Sequence, residues 1–358
     1  MTRLRIAILG CLIAAEFFGC MEDENVKLRY RGYAPLQGND GWVISSPQNE
    51  NMDAALVESA FHLVYDEDRF VMARSLLVLR NGRLVAEAYP HDEADRWQIQ
   101  NIQSCTKSFT SILTGIALQR GLIDSLGQPI AAILQDEFSR HPDKTDISIQ
   151  DALTMRTGIA FNDDAHTVDL YRASGNSVDY VLGLEKNYPS GIVFHYNDGA
   201  PHLISGAIQQ RYGQSLASFA DEYLFKPLQI ADWKWESAKD GRSFGAISLF
   251  LKPSDLAKLG QLLLNNGRSN TMQVVDSSWI ALATKAHVTS GSPGASYGYY
   301  FWIYPSYPAY AAIGHGGQYV FVAPVHRIVI TYTAWPYTSG ELFDNFLELA
   351  DLITRSCR

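Results

Sequence analysis

The chain has 358 residues, 47% of them hydrophobic and 19% charged, so it is long enough to bury the core of one large domain or of two. The formal net charge of −9, with Lys and Arg scattered along the chain, excludes nucleic acid as the expected partner. The sequence also lacks low-complexity tracts and fixed-period repeats, which excludes disordered scaffolds and solenoids.

The first twenty residues have the pattern of an export signal. Arg3 and Arg5 precede a short apolar run over residues 6–15, and Gly19 precedes Cys20. A run of this length is too short for a mature membrane-spanning helix, whereas a basic start before it is typical of a signal segment. Gly19-Cys20 resembles a bacterial lipoprotein cleavage site. We therefore expect an exported protein of the periplasm or cell envelope, tethered through lipidated Cys20 or through the apolar segment. A plain signal peptide is the alternative.

Residues 21–45 are polar and predict an extended segment before a domain that covers 46–358. A helix is predicted over 52–65. Two β-rich runs, 76–80 and 83–87, then flank Asn81-Gly82. Asn-Gly is the strongest short-range signal for a β-hairpin, because both residues tolerate a positive φ.

A second helix is predicted from Ser104 onward. Its apolar residues have the i, i+3, i+4 spacing of one buried face, namely Phe109, Ile112, Leu113, Ile116 and Ala117. Gly121 stands at the expected helix end. Because Ser104 opens this helix, the Lys107 side chain should lie one turn further on the same face.

The remaining pattern is helical in the middle and strand-like near the end. Helices are predicted at 149–155, 178–184, 203–211 and 216–225, strands at 299–304, 319–322 and 328–333, and an amphipathic helix at 342–353. This predicts an α+β fold, with one antiparallel sheet built from both ends of the chain. The sheet lobe would comprise 46–135 and 240–358, and the helical lobe 136–239. A small-molecule site is expected in the cleft between them.

Ser104 and Lys107 form the tetrad S-x-x-K, which occurs once in the sequence. A serine hydroxyl becomes a good nucleophile only when a nearby base takes its proton. Lysine can serve as that base when burial or neighbouring cations lower its pKa. Taken alone, however, the tetrad favours the simpler interpretation of a helix-capping serine followed by an exposed lysine.

Two further motifs change this interpretation. One is 194–199, reading Phe-His-Tyr-Asn-Asp-Gly, and the other is 314–318, reading Gly-His-Gly-Gly-Gln, which is predicted to lie at the start of a strand. With these three motifs in this order, the chain resembles the serine β-lactamase and penicillin-binding-protein superfamily. It is most similar to the branch of class C β-lactamases, related esterases and 6-aminohexanoate-dimer hydrolases. Supporting stretches lie at 76–89, 102–122, 149–158, 253–260 and 296–299. The resemblance implies a β-lactamase/transpeptidase-like fold, an antiparallel sheet flanked by helices.

The resemblance also implies a role for each matching residue. Ser104 would be the nucleophile and Lys107 its proton acceptor or relay. Tyr196 matches the tyrosine of the Y-x-N motif and could act as the base in its phenolate form, so the choice between Lys107 and Tyr196 stays open. The backbone N–H groups of Ser104 and Gln318 would form the oxyanion hole.

Substrate binding is assigned, on the same resemblance, to His315, Gly316, Gly317 and Asp198. Two of these depart from the β-lactamase pattern. His315 replaces the lysine of K-T-G, and a histidine is charged only part of the time at neutral pH. Asp198 replaces the asparagine of Y-x-N and cannot donate to an amide carbonyl while ionised. Both changes favour an ester or amide of a small molecule or short peptide over a penicillin.

The predicted function is therefore that of a serine hydrolase with an acyl-enzyme intermediate. No cofactor is implied, and the sequence carries no metal-binding spacing of His or Cys. One alternative is a catalytically silent, penicillin-binding-like sensor or binding module. Another is an α/β-hydrolase that uses Ser243 of the G-x-S-x-G at 241–245. That motif requires a buried strand before it, whereas residues 236–240 are polar, so we interpret Ser243 as a turn residue.

Overall fold

The computed structural model describes residues 27–291, 294–335 and 342–358. The predicted export signal, including Cys20, lies outside the described residues and stays a prediction. Among the described helices, none is long and apolar enough to cross a membrane. The division into a sheet lobe and a helical lobe at the stated boundaries is likewise a prediction.

The described strands form a large antiparallel sheet and two small ones. In chain order they are β1 (Ala73–Arg80), β2 (Arg83–Ala88), β3 (Gln100–Asn101), β4 (Trp233–Trp235), β5 (Leu249–Leu251), β6 (Arg268–Ser269), β7 (Met272–Gln273), β8 (Val288–Thr289), β9 (Ser296–Tyr297), β10 (Trp302–Tyr304), β11 (Ala309–Gly314), β12 (Gln318–Ala323) and β13 (Ile328–Ala334). The large sheet has the order β2-β1-β13-β12-β11-β10-β9-β8. The prediction of one sheet built from both ends of the chain is confirmed.

In the sequence, most of the helices lie between β2 and β8. They are α1 (Ala54–Asp66), α2 (Cys105–Gln119), α3 (Gln135–Ser139), α4 (Ile149–Leu153), α5 (Val168–Arg172), α6 (Ser177–Leu182), α7 (Gly199–Tyr212), α8 (Leu216–Ala220), α9 (Pro253–Leu264), α10 (Ser277–Ala283) and α11 (Leu342–Arg355). Two π-helical turns, Asp163–Thr167 and Asp221–Phe225, adjoin α5 and α8. The α+β class is therefore confirmed.

The predicted hairpin has the predicted turn. Asn81 and Gly82 connect β1 to β2 with φ values of 54° and 81°, which is the left-handed backbone that the Asn-Gly pair was expected to adopt. The predicted end of α2 is also confirmed, because Gly121 follows it with φ 70°.

Hydrophobic side chains cover both faces of the large sheet. One face packs against α1 and α11 through residues such as Phe61 and Phe346, and the other belongs to the larger core that contains α2 and α9. Helix α9 approaches the sheet closely at Gly260, where a Cβ would lie 2.3 Å from a methyl carbon of Val329.

Two segments differ from the prediction. Residues 299–301 are not part of a strand: Tyr300 has a φ of 64°, and the Tyr300 hydroxyl donates to the carbonyl oxygen of Ala152 at 3.0 Å. Anchoring to the helices outweighs the β propensity of this aromatic run. His315 was expected at the start of a strand, but it lies with Gly316 and Gly317 in the turn that joins β11 to β12.

Candidate active site

Ser104 stands immediately before α2, at the floor of a cleft. The preceding residue, Gln103, has a φ of 50°, a left-handed conformation that is uncommon outside glycine and that occurs often at functional sites. The Ser104 side chain makes no capping hydrogen bond to the backbone of α2. The hydroxyl is instead directed to Lys107, so the simpler interpretation as a helix cap does not describe it.

Lys107 is buried, with 1% of its surface exposed, and its ammonium group has three acceptors. The Nζ atom donates to Ser104 Oγ at 2.7 Å, to Asp198 Oδ1 at 2.6 Å and to the carbonyl oxygen of Ala246 at 3.4 Å. The helical spacing predicted the first contact, because residues three apart share a face. The other two join segments more than 90 positions away, |i−j| being 91 and 139.

Asp198 is held in place from two further directions. Thr167 Oγ1 donates to Asp198 Oδ2 at 2.8 Å, and the Asp198 backbone N–H donates to Asp163 Oδ1 at 2.8 Å. Both partners belong to the π-helical turn Asp163–Thr167. The carboxylate therefore accepts on both oxygens and faces Lys107 directly. The substrate-binding role predicted for Asp198 stays a prediction, because Asp198 is also the ion-pair partner of Lys107.

Tyr196 lies beside the Ser104–Lys107 pair. Lys107 Nζ is 4.8 Å from the centre of the Tyr196 ring, which also packs on Trp302 and Tyr297 with centroid distances of 5.8 Å and 6.0 Å. Burial raises the pKa of the Tyr196 hydroxyl, and this effect exceeds the lowering by the Lys107 charge and by a hydrogen bond with Ser104. The resting form of Tyr196 is therefore the neutral phenol.

Lys107 also keeps its proton at neutral pH. Burial by itself would lower the pKa of this lysine, but the charge of Asp198, with Tyr196 and Asp163, raises it above its ordinary value. The resting site thus holds a serine hydroxyl, an ammonium, a carboxylate and a phenol. Neither of the two predicted bases is deprotonated at rest.

The turn between β11 and β12 forms part of the wall of the cleft that contains Ser104. A Cβ on Gly314 would lie 2.5 Å from the carbonyl oxygen of Ile102, so only glycine allows this approach. Gln318 is fully buried, and Cys105 Sγ lies 3.5 Å from its carbonyl oxygen. The backbone of Gln318 is therefore adjacent to the start of α2. The oxyanion role predicted for the N–H groups of Ser104 and Gln318 stays a prediction.

The cleft has a volume of about 650 Å³ and contains most of the predicted site residues. It is lined by Ser104, Tyr196, Asp198, His315, Gly316 and Gly317, by Asp163, Asp164 and Thr167, and by Val168, Ile247, Trp302, Ile313 and Tyr319. The sequence analysis missed Asp163, Thr167 and the Ala246 carbonyl. No motif marks them, because only the fold brings them to Lys107.

Ser243 lies outside this site. It is 1% exposed, its hydroxyl accepts from the backbone N–H of Ala217 at 3.2 Å, and its carbonyl accepts from Ser205 Oγ at 2.6 Å. The neighbouring strands are antiparallel, whereas the nucleophile elbow belongs to a parallel sheet. These contacts agree with the interpretation of Ser243 as a structural turn residue. In the part of the chain that the structure describes, no group of His, Cys, Asp and Glu could hold a metal ion.

Replacing Asp163 with asparagine is expected to stabilise the protein at neutral pH. Burial and the Asp198 carboxylate raise the pKa of Asp163 to about 6 from its ordinary value of 3.8. The unfolded chain therefore loses this proton at lower pH than the folded protein, and stability falls as pH rises from about 4 to 6. Urea unfolding of both proteins should show Asp163→Asn gaining stability at pH 7 and little below pH 4.

The exposed neighbour Asp164 provides the control, since Asp164→Asn removes the same charge outside the buried pair. It should largely preserve the pH dependence of the wild type, because the Asp164 charge raises the pKa of Asp163 less than burial and Asp198 do. A wild-type stability curve that does not diverge from that of Asp163→Asn between pH 4 and 7 would contradict the prediction.

The sheet order, the helix that opens with S-x-x-K and the cleft above it define a β-lactamase/transpeptidase-like fold. The model of the Beta-lactamase family matches residues 68–346, which is most of the chain. The chain belongs to the Beta-lactamase family, and this places it in a superfamily of serine hydrolases.

Several solved structures share this fold. A protein of Bacillus anthracis assigned as a 6-aminohexanoate-dimer hydrolase is 20% identical with a TM-score of 0.72, over 96% of this chain and 94% of that one. A protein of Bacteroides dorei assigned as a beta-lactamase is 17% identical with a TM-score of 0.71, over 85% and 99%. A family VIII carboxylesterase is 16% identical with a TM-score of 0.67, over 89% and 99%. A search of curated proteins gave no match.

Proposed function

We propose that this protein is a serine hydrolase that cleaves an ester or amide bond of a small molecule or short peptide through an acyl-enzyme at Ser104. The observation that carries the proposal is the contact of Ser104 Oγ with the buried Lys107 ammonium, 2.7 Å away, at the floor of an open cleft. Ser104 is half-buried, and it lies within the hydrogen-bond distance of Lys107 that a serine nucleophile and its proton acceptor require.

The reaction would run in two steps. Ser104 Oγ attacks the acyl carbon, and backbone N–H groups of Ser104 and Gln318 stabilise the oxyanion, at about 3–4 kcal/mol for each donor. The Tyr196 phenol, placed beside both Ser104 and Lys107, is suited to donate its proton to the leaving group. Water then attacks the acyl-enzyme and releases the acid.

The charge of the cleft supports an ester or amide substrate over a penicillin. Asp163, Asp164 and Asp198 line the cleft, while Lys107 lies behind them and is paired with Asp198. His315 is exposed and is a weaker anion partner than the lysine of the related motif. A substrate carboxylate, which penicillins carry, would meet net negative charge here. The similarity to a carboxylesterase and to a protein assigned as an amide hydrolase is in keeping with this choice.

One observation favours the alternative of a silent binding module. Lys107 and Tyr196 both hold their protons at rest, so neither offers Ser104 a free base. An inert site would have the same appearance. The two functions are separated by covalent chemistry, because only an activated serine is acylated or phosphonylated at a useful rate.

The test is intact-mass measurement of the wild type and Ser104→Ala after treatment with a fluorophosphonate, with p-nitrophenyl butyrate turnover measured in parallel. A fluorophosphonate adduct on the wild type alone, together with ester hydrolysis, is expected. Nitrocefin should be hydrolysed much more slowly than the ester. A folded wild type that forms no adduct and hydrolyses none of these probes would establish the silent module instead.

We also propose that the protein is exported and tethered to the cell envelope, which rests on Arg3, Arg5, the apolar run and Gly19-Cys20. Cell fractionation tests this: the wild type should appear in the membrane fraction and Cys20→Ala should not be lipidated. Recovery of the full-length, unprocessed wild type in the cytosol would contradict it.

A further inference from the structure

A continuous hydrogen-bonded chain connects the proposed nucleophile to a buried carboxylate. Ser104 Oγ lies 2.7 Å from Lys107 Nζ, which lies 2.6 Å from Asp198 Oδ1. The side chains of Lys107 and Asp198 are 1% and 7% exposed, so solvent does not compete for these contacts. These hydrogen bonds thus connect the serine hydroxyl, through Lys107, to the carboxylate of Asp198.

This series of hydrogen bonds matters because an ammonium has no lone pair with which to accept a proton. Lys107 can take the Ser104 proton only if it releases one of its own. The acceptors of its short hydrogen bonds are the Ser104 hydroxyl, the Ala246 carbonyl and the Asp198 carboxylate, and it is also hydrogen-bonded to the Tyr196 phenol, which is neutral. Of these, only a carboxylate accepts a proton at ordinary pH.

We propose that Asp198 is the terminal proton acceptor when Ser104 is acylated. Lys107 Nζ first passes a proton to Asp198 Oδ1. Rotation about the Cε–Nζ bond then turns the freed lone pair to Ser104, and Nζ accepts the hydroxyl proton as the Ser104 Oγ–carbon bond forms. Lys107 thereby regains its charge, and the negative charge moves from Asp198 to the substrate oxyanion. When the oxyanion collapses, the Tyr196 phenol donates its proton to the leaving group, and the proton held by Asp198 returns through Lys107 to Tyr196, which is hydrogen-bonded to Lys107. This inference rests on the proposed function, because it assigns a role within that reaction.

The surroundings of Asp198 suit this role. The titratable groups whose charge interacts with Asp198 are Lys107, Asp163, Tyr171, Tyr196, His202 and Tyr297. Burial raises the pKa of the three tyrosines and lowers the pKa of His202 to about 4, which leaves these four groups neutral at pH 7. Lys107 and Asp163 are therefore the charged neighbours. The Asp163 carboxylate lies next to Asp198, whose backbone N–H donates to Asp163 Oδ1 at 2.8 Å.

The identity of residue 198 is decisive in this scheme. The related Y-x-N motif has asparagine at this place, and an amide cannot accept the proton. Asp198→Asn keeps the size of the side chain and its contacts with Thr167 and Lys107, but removes the acceptor. Lys107 would then act only after losing a proton to solvent. Asp198→Asn should therefore need a higher pH than the wild type to reach its maximal kcat/KM.

The experiment measures kcat/KM for p-nitrophenyl butyrate from pH 5 to 10 in the wild type, in Asp198→Asn and in Asp276→Asn, an exposed aspartate that caps α10 without a side-chain hydrogen bond. At pH 6.5, Asp198→Asn should lose roughly 100-fold or more, in the range of general-base effects. The acid limb of its profile should move to higher pH, and part of the activity should return near pH 9. Asp276→Asn should follow the wild type.

A measurement on the wild type alone keeps the proposal testable if Asp198→Asn does not fold. The relay predicts that the wild type keeps its kcat/KM well below the ordinary pKa of lysine, about 10.4, because Lys107 releases its proton to Asp198 and not to solvent. A wild-type kcat/KM that rises tenfold per pH unit up to about pH 10, or an Asp198→Asn profile with an unmoved acid limb, would overturn the relay while ester hydrolysis by the wild type leaves the proposed function intact. A wild type that neither hydrolyses the ester nor reacts with fluorophosphonate removes both.

Discussion

Ser104→Ala is expected to lower kcat/KM for p-nitrophenyl butyrate by roughly 10⁴-fold or more, because loss of the nucleophile in a concerted site leaves only the oxyanion hole and substrate binding. The fold should survive the change. Lys107 loses one of its three acceptors but keeps Asp198 at 2.6 Å, so the free energy of unfolding should fall by only about 1 kcal/mol.

The measurement is steady-state hydrolysis, together with urea unfolding to establish that the variant is folded. Ser243→Ala is the matched control, because it removes a hydroxyl from the other motif that could have carried a nucleophile. Its buried hydroxyl accepts from the backbone of Ala217, so a small loss of stability and unchanged kinetics are expected. Full activity in Ser104→Ala together with an inactive, folded Ser243→Ala would transfer the nucleophile to residue 243.

The parts of the fold that could be predicted from the sequence are those with local causes. Asn81-Gly82 determines its own turn, and the helix periodicity after Ser104 places Lys107 on the same face. Strand β11 could not be found in this way. It contains Ala309, Ala311 and Ala312, and alanine has low β propensity. Gly314 is required at the end of this strand because a Cβ there would lie 2.5 Å from the carbonyl oxygen of Ile102.

The site, like the fold, has features with local causes and features that depend on contacts between distant segments. The tetrad predicted the contact between Ser104 and Lys107, but no local pattern places Asp163 near Asp198, or either near a lysine 91 positions before Asp198. The protonation states depend on those distant contacts. Burial favours a neutral lysine, and only the Asp198 carboxylate, with its neighbours, reverses this. The question of which base acts was therefore beyond the reach of sequence reasoning, which could name Lys107 and Tyr196 but not their charges.

Lys107→Met is expected to damage both activity and stability. Without the lysine, Ser104 loses the path to Asp198 and keeps only the neutral Tyr196 phenol beside it, so kcat/KM should fall by roughly 10³-fold or more. Asp198 would also lose its cationic partner while remaining buried beside Asp163. Leaving one member of a buried ion pair uncompensated costs about 3–5 kcal/mol. The raised pKa of Lys107 means that the ion pair is complete at pH 7 and weakens only above the ordinary titration range of lysine.

The double variant Lys107→Met/Asp198→Asn separates the two effects. It removes the buried charge as well as its partner, so the free energy of unfolding should recover most of the loss, whereas activity should stay at the level of the single variant. The double-mutant cycle requires two measurements at pH 7, urea unfolding and ester hydrolysis. Both are made on the wild type, the two single variants and the double variant. Equal stability of Lys107→Met and the double variant would mean that the ion pair does not couple the two residues. Recovery of activity in the double variant would mean that Lys107 is not the group that carries the serine proton.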